Sequence, residues 1–231
     1  MRVLRINITP VKGLGLQHPQ SVELGPHGVA ENRRFLLVRE DGRMFNGKDF
    51  GPLVQVRPES LLDGGLVLGD TLTVDMWGRP LTCRVVEGPA AAELSELVGR
   101  ELRLVRVEEP ESAVDVHPGT LVSAASAVRL GEELDAEVDL RRFRMLLELE
   151  GPGPHEEDTW QGCELQVGEA VVRVAGPVPR CVVTTQDPDT GVRTLETLRA
   201  LRAYRPKVDF GMYFDVVRPG RVALGDAVVA P

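Results

Sequence analysis

Glycine and proline break this chain about every ten residues, and that spacing restricts its fold more than any other feature. The 231 residues include 24 glycines and 17 prolines, and the segments between them are short and rich in valine, leucine and threonine. The rhythm predicts a mainly β protein. Candidate strands are Val3–Ile8, Ser21–Leu24, Arg34–Arg39, Leu53–Arg57, Leu72–Asp75, Leu81–Val86, Leu102–Val107, Arg144–Leu149, Cys163–Val167, Val171–Ala175, Cys181–Thr185, Phe210–Val217 and Ala227–Val229. With many strands and few helices, closed or nearly closed barrels are the economical way to avoid exposed edges.

Three short helices interrupt the pattern. Ala90–Val98 follows a proline and carries Leu94, Leu97 and Val98 on one side. A second begins at Ser123, a natural N-cap, and runs towards Leu134 with Gly131 as a weak point. A third, Leu195–Tyr204, is capped by Thr194 and has a narrow apolar stripe of Leu195, Leu198 and Leu201. The length suits one large domain or two small interleaved ones. The acidic segment Glu108–Gly119 is the best linker, so the expected division is 1–110 and 111–231.

Charge narrows the function. A formal net charge of -8 disfavours a broad nucleic-acid or anionic-membrane surface, so any anion site must be local. The N-terminus has no apolar signal core, and no uninterrupted apolar span reaches about 18 residues. The expectation is a soluble cytoplasmic protein. Cys83, Cys163 and Cys181 form an odd set without CxxC spacing, which suggests neither a disulfide framework nor a zinc ribbon. An iron–sulfur cluster usually takes four thiolates, more than this chain supplies.

The richest stretch is Gly176–Gly191. Two prolines deliver Cys181 directly after Arg180, and the run ends in a tight Asp187-Pro188-Asp189-Thr190-Gly191 turn. A guanidinium beside a thiol favours the thiolate, the form that attacks or ligates a metal. A lone cysteine is also a common core residue, so the residues alone leave core, nucleophile and ligand all open. Lys12 precedes Gly13-Leu14-Gly15, a loop whose amides and ammonium suit a phosphate, though most lysines at turns are simply exposed. In Glu31-Asn32-Arg33-Arg34-Phe35, strand alternation sends the two arginines to opposite faces, one of them inward or to a cleft. Arg141-Arg142-Phe143-Arg144 gathers three guanidiniums, the side chain best shaped for phosphate oxygens.

Taken together, Pro10-Val11-Lys12-Gly13, Gly28 to Val38, Arg142-Phe143-Arg144, Glu157-Asp158-Thr159-Trp160, Pro179-Arg180-Cys181-Val182-Val183-Thr184-Thr185, Phe210-Gly211-Met212-Tyr213 and Gly225-Asp226 resemble the MOSC family. The name stands for the C-terminal domain of molybdenum-cofactor sulfurase, and the motifs resemble especially its amidoxime-reducing members. The resemblance implies a MOSC-type β-barrel with an accessory N-terminal β-barrel region and a bound molybdenum cofactor of the molybdopterin type. It nominates Cys181 as ligand to the metal, with Lys12, Arg33, Arg144, Arg180, Thr184 and the helix-start hydroxyls Ser123 and Ser126 around the cofactor. It further implies reduction of N-hydroxylated or similar oxygenated small molecules, with neither nucleic acid nor membrane as a partner. The chain ends at Pro231 without the ferredoxin or pyridoxal-phosphate desulfurase module of fused relatives, so electrons are expected from a separate donor of ferredoxin or flavoprotein type. Four positions depart from the family pattern: Met145-Leu146 stands where Pro-Asn is common, Asn32 replaces an acid, and Pro179 replaces serine. The alternative implied role is a carrier of the cofactor, or of a persulfide on Cys181, without turnover of its own.

Overall fold

The computed structural model describes residues 1–58, 66–109 and 115–230. In chain order the strands are β1 (Arg2–Ile6), β2 (Ser21–Gly25), β3 (Gly28–Val29), β4 (Phe35–Val38), β5 (Met44–Phe45), β6 (Val67–Met76), β7 (Arg79–Glu87), β8 (Arg103–Val107), β9 (Gly119–Ser123), β10 (Leu147–Glu150), β11 (Glu164–Val167), β12 (Ala170–Pro179), β13 (Asp209–Arg218), β14 (Gly220–Ala223) and β15 (Val228–Val229). The helices are α1 (Ala90–Val98), α2 (Ala124–Leu134) and α3 (Thr197–Tyr204).

Seven strands form one sheet in the order β1-β10-β9-β13-β12-β11-β15, in which only β10 and β9 run parallel. Its two ends meet. The amide of Val3 donates to Asp226 O and that of Val228 to Met1 O, both at 2.9 Å, so the sheet is nearly a closed barrel around Ile6, Leu121, Leu149, Leu165 and Phe214. A five-stranded sheet, β5-β4-β8-β7-β6, curls likewise, with Asp75 N–H bonded to Gly42 O across its ends. A three-stranded sheet, β14-β2-β3, completes the fold. The first strand therefore belongs to the sheet built mainly from the C-terminal half.

Several expectations need correction. Leu53–Arg57 is no strand: Gly51–Gln55 forms a 3-10 turn with Pro52 in its first turn, where proline's fixed φ and missing N–H cost nothing. Cys181–Thr185 is likewise a 3-10 turn over Val182–Thr185. There the hydroxyls of Thr184 and Thr185 bond back to the carbonyls of Cys181 and Val182 at 3.1 and 2.7 Å, a local alternative to the sheet ladder. The buried run Gly119–Ser123, outside the candidate strands, is β9. Within the Glu108–Gly119 linker, residues 110–114 lie outside the described residues. Ser123 caps α2 as expected, accepting from Ala125 N–H, whereas α3 starts only at Thr197 and Thr194 instead receives the guanidinium of Arg142.

Gly119 fixes how closely β9 packs on β13. A Cβ there would stand 2.1 Å from the Phe214 ring, whose side chain is fully buried. Gly119→Ala is expected to lower stability by about 3 kcal/mol through overpacking, readable as a shift in denaturation midpoint at constant m-value.

Candidate functional site

Turns from both barrels converge on a cavity of about 390 Å³. One wall comes from the loop after β1 (Lys12), the turn before β4 (Arg33), the turn after β5 (Lys48) and the β6–β7 tip (Trp77); the other comes from Thr120, Arg144, Arg180, Cys181 and Tyr213. Six cationic side chains line it, Lys12, Arg33, Lys48, Arg142, Arg144 and Arg180, against one carboxylate, Asp115. In a chain of net charge -8 this is a local concentration of positive charge.

The inner arginines are held by backbone carbonyls rather than by acids. Arg180 donates from Nε and one terminal nitrogen to Phe210 O, at 2.9 and 2.7 Å, and from the other to Phe143 O at 3.1 Å. It also touches Met145 Sδ. Arg144 donates to Leu14 O at 2.6 Å, and its own carbonyl accepts from Arg33 at 2.9 Å. Burial pushes the Arg144 guanidinium down to about 9 and that of Arg180 to about 10, still charged at neutral pH. Carbonyls satisfy the donors without cancelling the charge, so the attraction for an anion survives.

Arg33 and Arg144 both hold left-handed backbone, with φ of 61° and 52°. Each such residue costs about 1–2 kcal/mol, and such strain persists where the surrounding structure over-determines it. Arg33 is thus aimed from a turn, not from the strand that alternation suggested. The opposite-face expectation nonetheless holds, since Arg34 points away and donates to Val107 O at 2.8 Å.

Lys12 is buried, bonds Asp115, and lies 3.7 Å from Met76 Sδ. Burial brings its ammonium down to about 8 against the opposing pull of Asp115. Burial raises the Asp115 carboxyl, but Lys12 and Arg33, the latter 3.7 Å away, outweigh it and hold it below the usual carboxylate range. Lys12 Nζ also lies over the Trp77 ring, 4.6 Å from its centroid.

Cys181 is exposed at this cavity, whereas Cys83 is buried in the five-stranded sheet and Cys163 packs half-buried against the other core. Thr184, nearly inaccessible, lines the floor and shares a 2.8 Å hydroxyl bond with Thr197. Ser123 and Ser126 do not reach the cavity. Ser123 Oγ donates to Pro152 O and Ser126 Oγ donates to Glu157 Oε1 while accepting from His155 N–H. Leu146, where the family pattern has an amide, is packed in the core, and its N–H donates to Thr120 Oγ1. Asp115, Thr120, Trp77 and Tyr213 escaped the sequence reading as site residues. Only the Phe-Gly-Met-Tyr motif carried a trace, for Tyr213.

Two nearly closed barrels sharing a cationic cavity with a thiol at its opening define the class. The chain belongs to the MOSC family: the MOSC domain profile matches residues 110–229 and the MOSC N-terminal beta barrel domain profile residues 1–101. Mitochondrial amidoxime reducing component 2 of Bos taurus is 34% identical over 276 residues, covering 96% of this chain and 80% of that protein. Mitochondrial amidoxime-reducing component 1 of Homo sapiens is 32% identical over 279 residues, covering 98% and 82%. Molybdenum cofactor sulfurase of Caenorhabditis briggsae is 28% identical over 246 residues; the match covers 95% of this chain but 34% of that longer protein. A molybdenum-cofactor-related function follows from this membership. No helix among the described residues is long and apolar enough to cross a membrane.

Proposed function

We propose that this cavity binds a molybdenum–pterin cofactor, with Cys181 as the protein's ligand to the metal, and that the loaded protein reduces N-hydroxylated small molecules with electrons from a separate donor. The observation that carries the reading is the six-to-one excess of cations around an exposed thiol. The donor set fits the group. Guanidiniums bind phosphate oxygens in pairs of parallel bonds, a thiolate matches a metal already held by sulfur, and Nε of buried Arg142 has no partner among the described residues. When bound, the cofactor supplies a two-electron couple.

The chain's own residues do the rest. Arg144 and Arg180 would hold the anionic end of the cofactor, while Lys12 and Arg33 share one negative charge, Asp115, and leave a surplus positive charge beside it. Breaking an N–O bond consumes two electrons and two protons and releases water. Lys12 Nζ is the cationic acid in the cavity whose proton is loosely enough held to serve. Because its pKa is about 8, kcat/KM is expected to fall as pH rises through about 8. Asp115→Asn removes a charge that holds the proton on, so the alkaline limb should move to lower pH; a limb that stays put refutes Lys12 as the acid.

The reading is tested by metal and pterin analysis of protein from a cofactor-competent host, followed by turnover of an amidoxime with an artificial electron donor. Protein with neither molybdenum, tungsten nor pterin sinks it. The exposure of the Cys181 thiol favours a second reading, a carrier of cofactor or of persulfide sulfur, and turnover at enzyme-like rates excludes a purely passive carrier.

A further inference from the structure

Trp77 is the feature of the cavity that cofactor binding leaves unexplained. Met76 pairs with Arg79 across the hairpin, which makes Trp77-Gly78 a two-residue loop with both φ positive, 56° and 83°. This is type I′ geometry, in which asparagine, aspartate or glycine normally takes the first position because each tolerates left-handed backbone. The turn alone gives no reason for the largest side chain to stand there. A bulky residue held in that region points to a role for its side chain.

The position gives the indole reach. Two long strands, β6 and β7, carry it from the second barrel to the cavity opening, where its surroundings differ from the floor. Trp77 is 52% exposed and Val116, which also lines the cavity, 62%, while the lining residues Arg142 and Thr184 are buried. Two ammoniums, Lys12 Nζ at 4.6 Å and Lys48 Nζ at 5.4 Å from the ring centroid, set the ring's place at the rim. The site thus has a cationic floor and an aromatic mouth. An anionic group belongs to the first; an uncharged flat molecule belongs to the second, where an indole face offers offset stacking.

We infer that Trp77 is a stacking platform that selects substrates whose N-hydroxylated group is conjugated to a flat aromatic ring. This inference rests on the reductase reading. The reactive group points down past the exposed Cys181, and the ring lies on the indole. A saturated, puckered ring of the same size fills the same volume but cannot stack, so Trp77 acts on selectivity between substrates rather than on the reaction itself.

The test uses cofactor-loaded wild type, Trp77→Ala and Trp77→Phe, with an artificial donor and two substrates, benzamidoxime and cyclohexanecarboxamidoxime. The expected result is that Trp77→Ala lowers the aromatic-to-saturated ratio of kcat/KM about tenfold, the size of one lost stacking contact, mainly through KM, and that Trp77→Phe restores most of it. Benzamidoxime should also quench indole emission in wild type and not in Trp77→Phe, because the remaining Trp160 is buried in the barrel. An unchanged ratio, or loss of molybdenum and pterin from Trp77→Ala, overturns the inference while wild-type turnover leaves the reductase reading standing. Wild type that reduces neither substrate overturns both.

Discussion

Cys181→Ser is expected to lose at least nine-tenths of its bound molybdenum while unfolding at nearly the same denaturant concentration as wild type. The two halves of that result have separate causes. The thiol is exposed and caps nothing at the start of the Val182–Thr185 turn, so exchanging sulfur for oxygen disturbs neither core nor hydrogen bonding, and such surface changes cost within about 0.5 kcal/mol. A serine hydroxyl, by contrast, lacks the sulfur donor that the proposed ligation uses. If Arg144 and Arg180 hold the anionic end of the proposed cofactor, pterin should be retained more fully than metal, because neither arginine is touched by the change.

Cys83→Ser should behave oppositely. Cys83 is wholly buried among Leu36, Val74, Met76 and Val105, and burial pushes its thiol up to about 11. A hydroxyl left there without a partner costs about 1–3 kcal/mol, with metal content unchanged. Inductively coupled plasma analysis beside chemical denaturation of both variants decides the matter; equal metal loss in both would mean that Cys181 acts only through the fold.

The contrast between these cysteines also marks how far the sequence could be read. Barrel architecture was legible because Gly/Pro spacing and Val/Leu alternation are local signals, and most strands fall where alternation put them. What failed were segments whose composition imitates a strand. Val182-Val183-Thr184-Thr185 is β-branched throughout, yet two threonine hydroxyls bonded back to carbonyls turn it into a 3-10 turn, and this leaves Cys181 at a corner instead of on a pleat. The run Gly119–Ser123 was invisible for the opposite reason: all five residues are buried, so it shows no alternation.

Of the site, the cations were legible as residue types and their convergence was not. Lys12, Arg33, Arg144 and Arg180 are scattered in sequence, and their meeting depends on β1 pairing with β10 and on left-handed backbone at two of the arginines. Asp115 sits in a segment that composition marks only as an acidic linker, and its ion pairs with Lys12 and Arg33 are tertiary. Ser123 and Ser126 stood at a helix start, a fair place to expect an anion, but the carbonyl of Pro152 and the carboxyl of Glu157 already occupy their hydroxyls.

That buried carboxyl should contribute strongly to the protein's pH dependence of stability, set against an opposing contribution of similar size from His155. Glu157 is inaccessible, shares Oε1 with Ser126 Oγ at 2.8 Å and leaves Oε2 with no partner among the described residues. Burial raises its pKa to about 7, opposed by hydrogen bonds from Ser126 and the local backbone and reinforced by Asp158. The unfolded chain releases this proton near 4.5, so between 4.5 and 7 the folded state binds more protons and stability falls as pH rises. The loss is complete above pH 7 and amounts to about 3 kcal/mol from a shift of this size. Neighbouring His155 works in the other direction: burial and Arg205 bring it down to about 4, so its contribution is lost as pH falls below about 6.5. Glu157→Gln keeps an acceptor for Ser126, removes the titration, and isolates the carboxyl from the histidine. The variant is expected to be about as stable as wild type at pH 4 and more stable by about 2–3 kcal/mol at pH 8. A variant less stable than wild type at pH 8 would mean that Glu157 is ionised in the fold and that its charge is held by a partner.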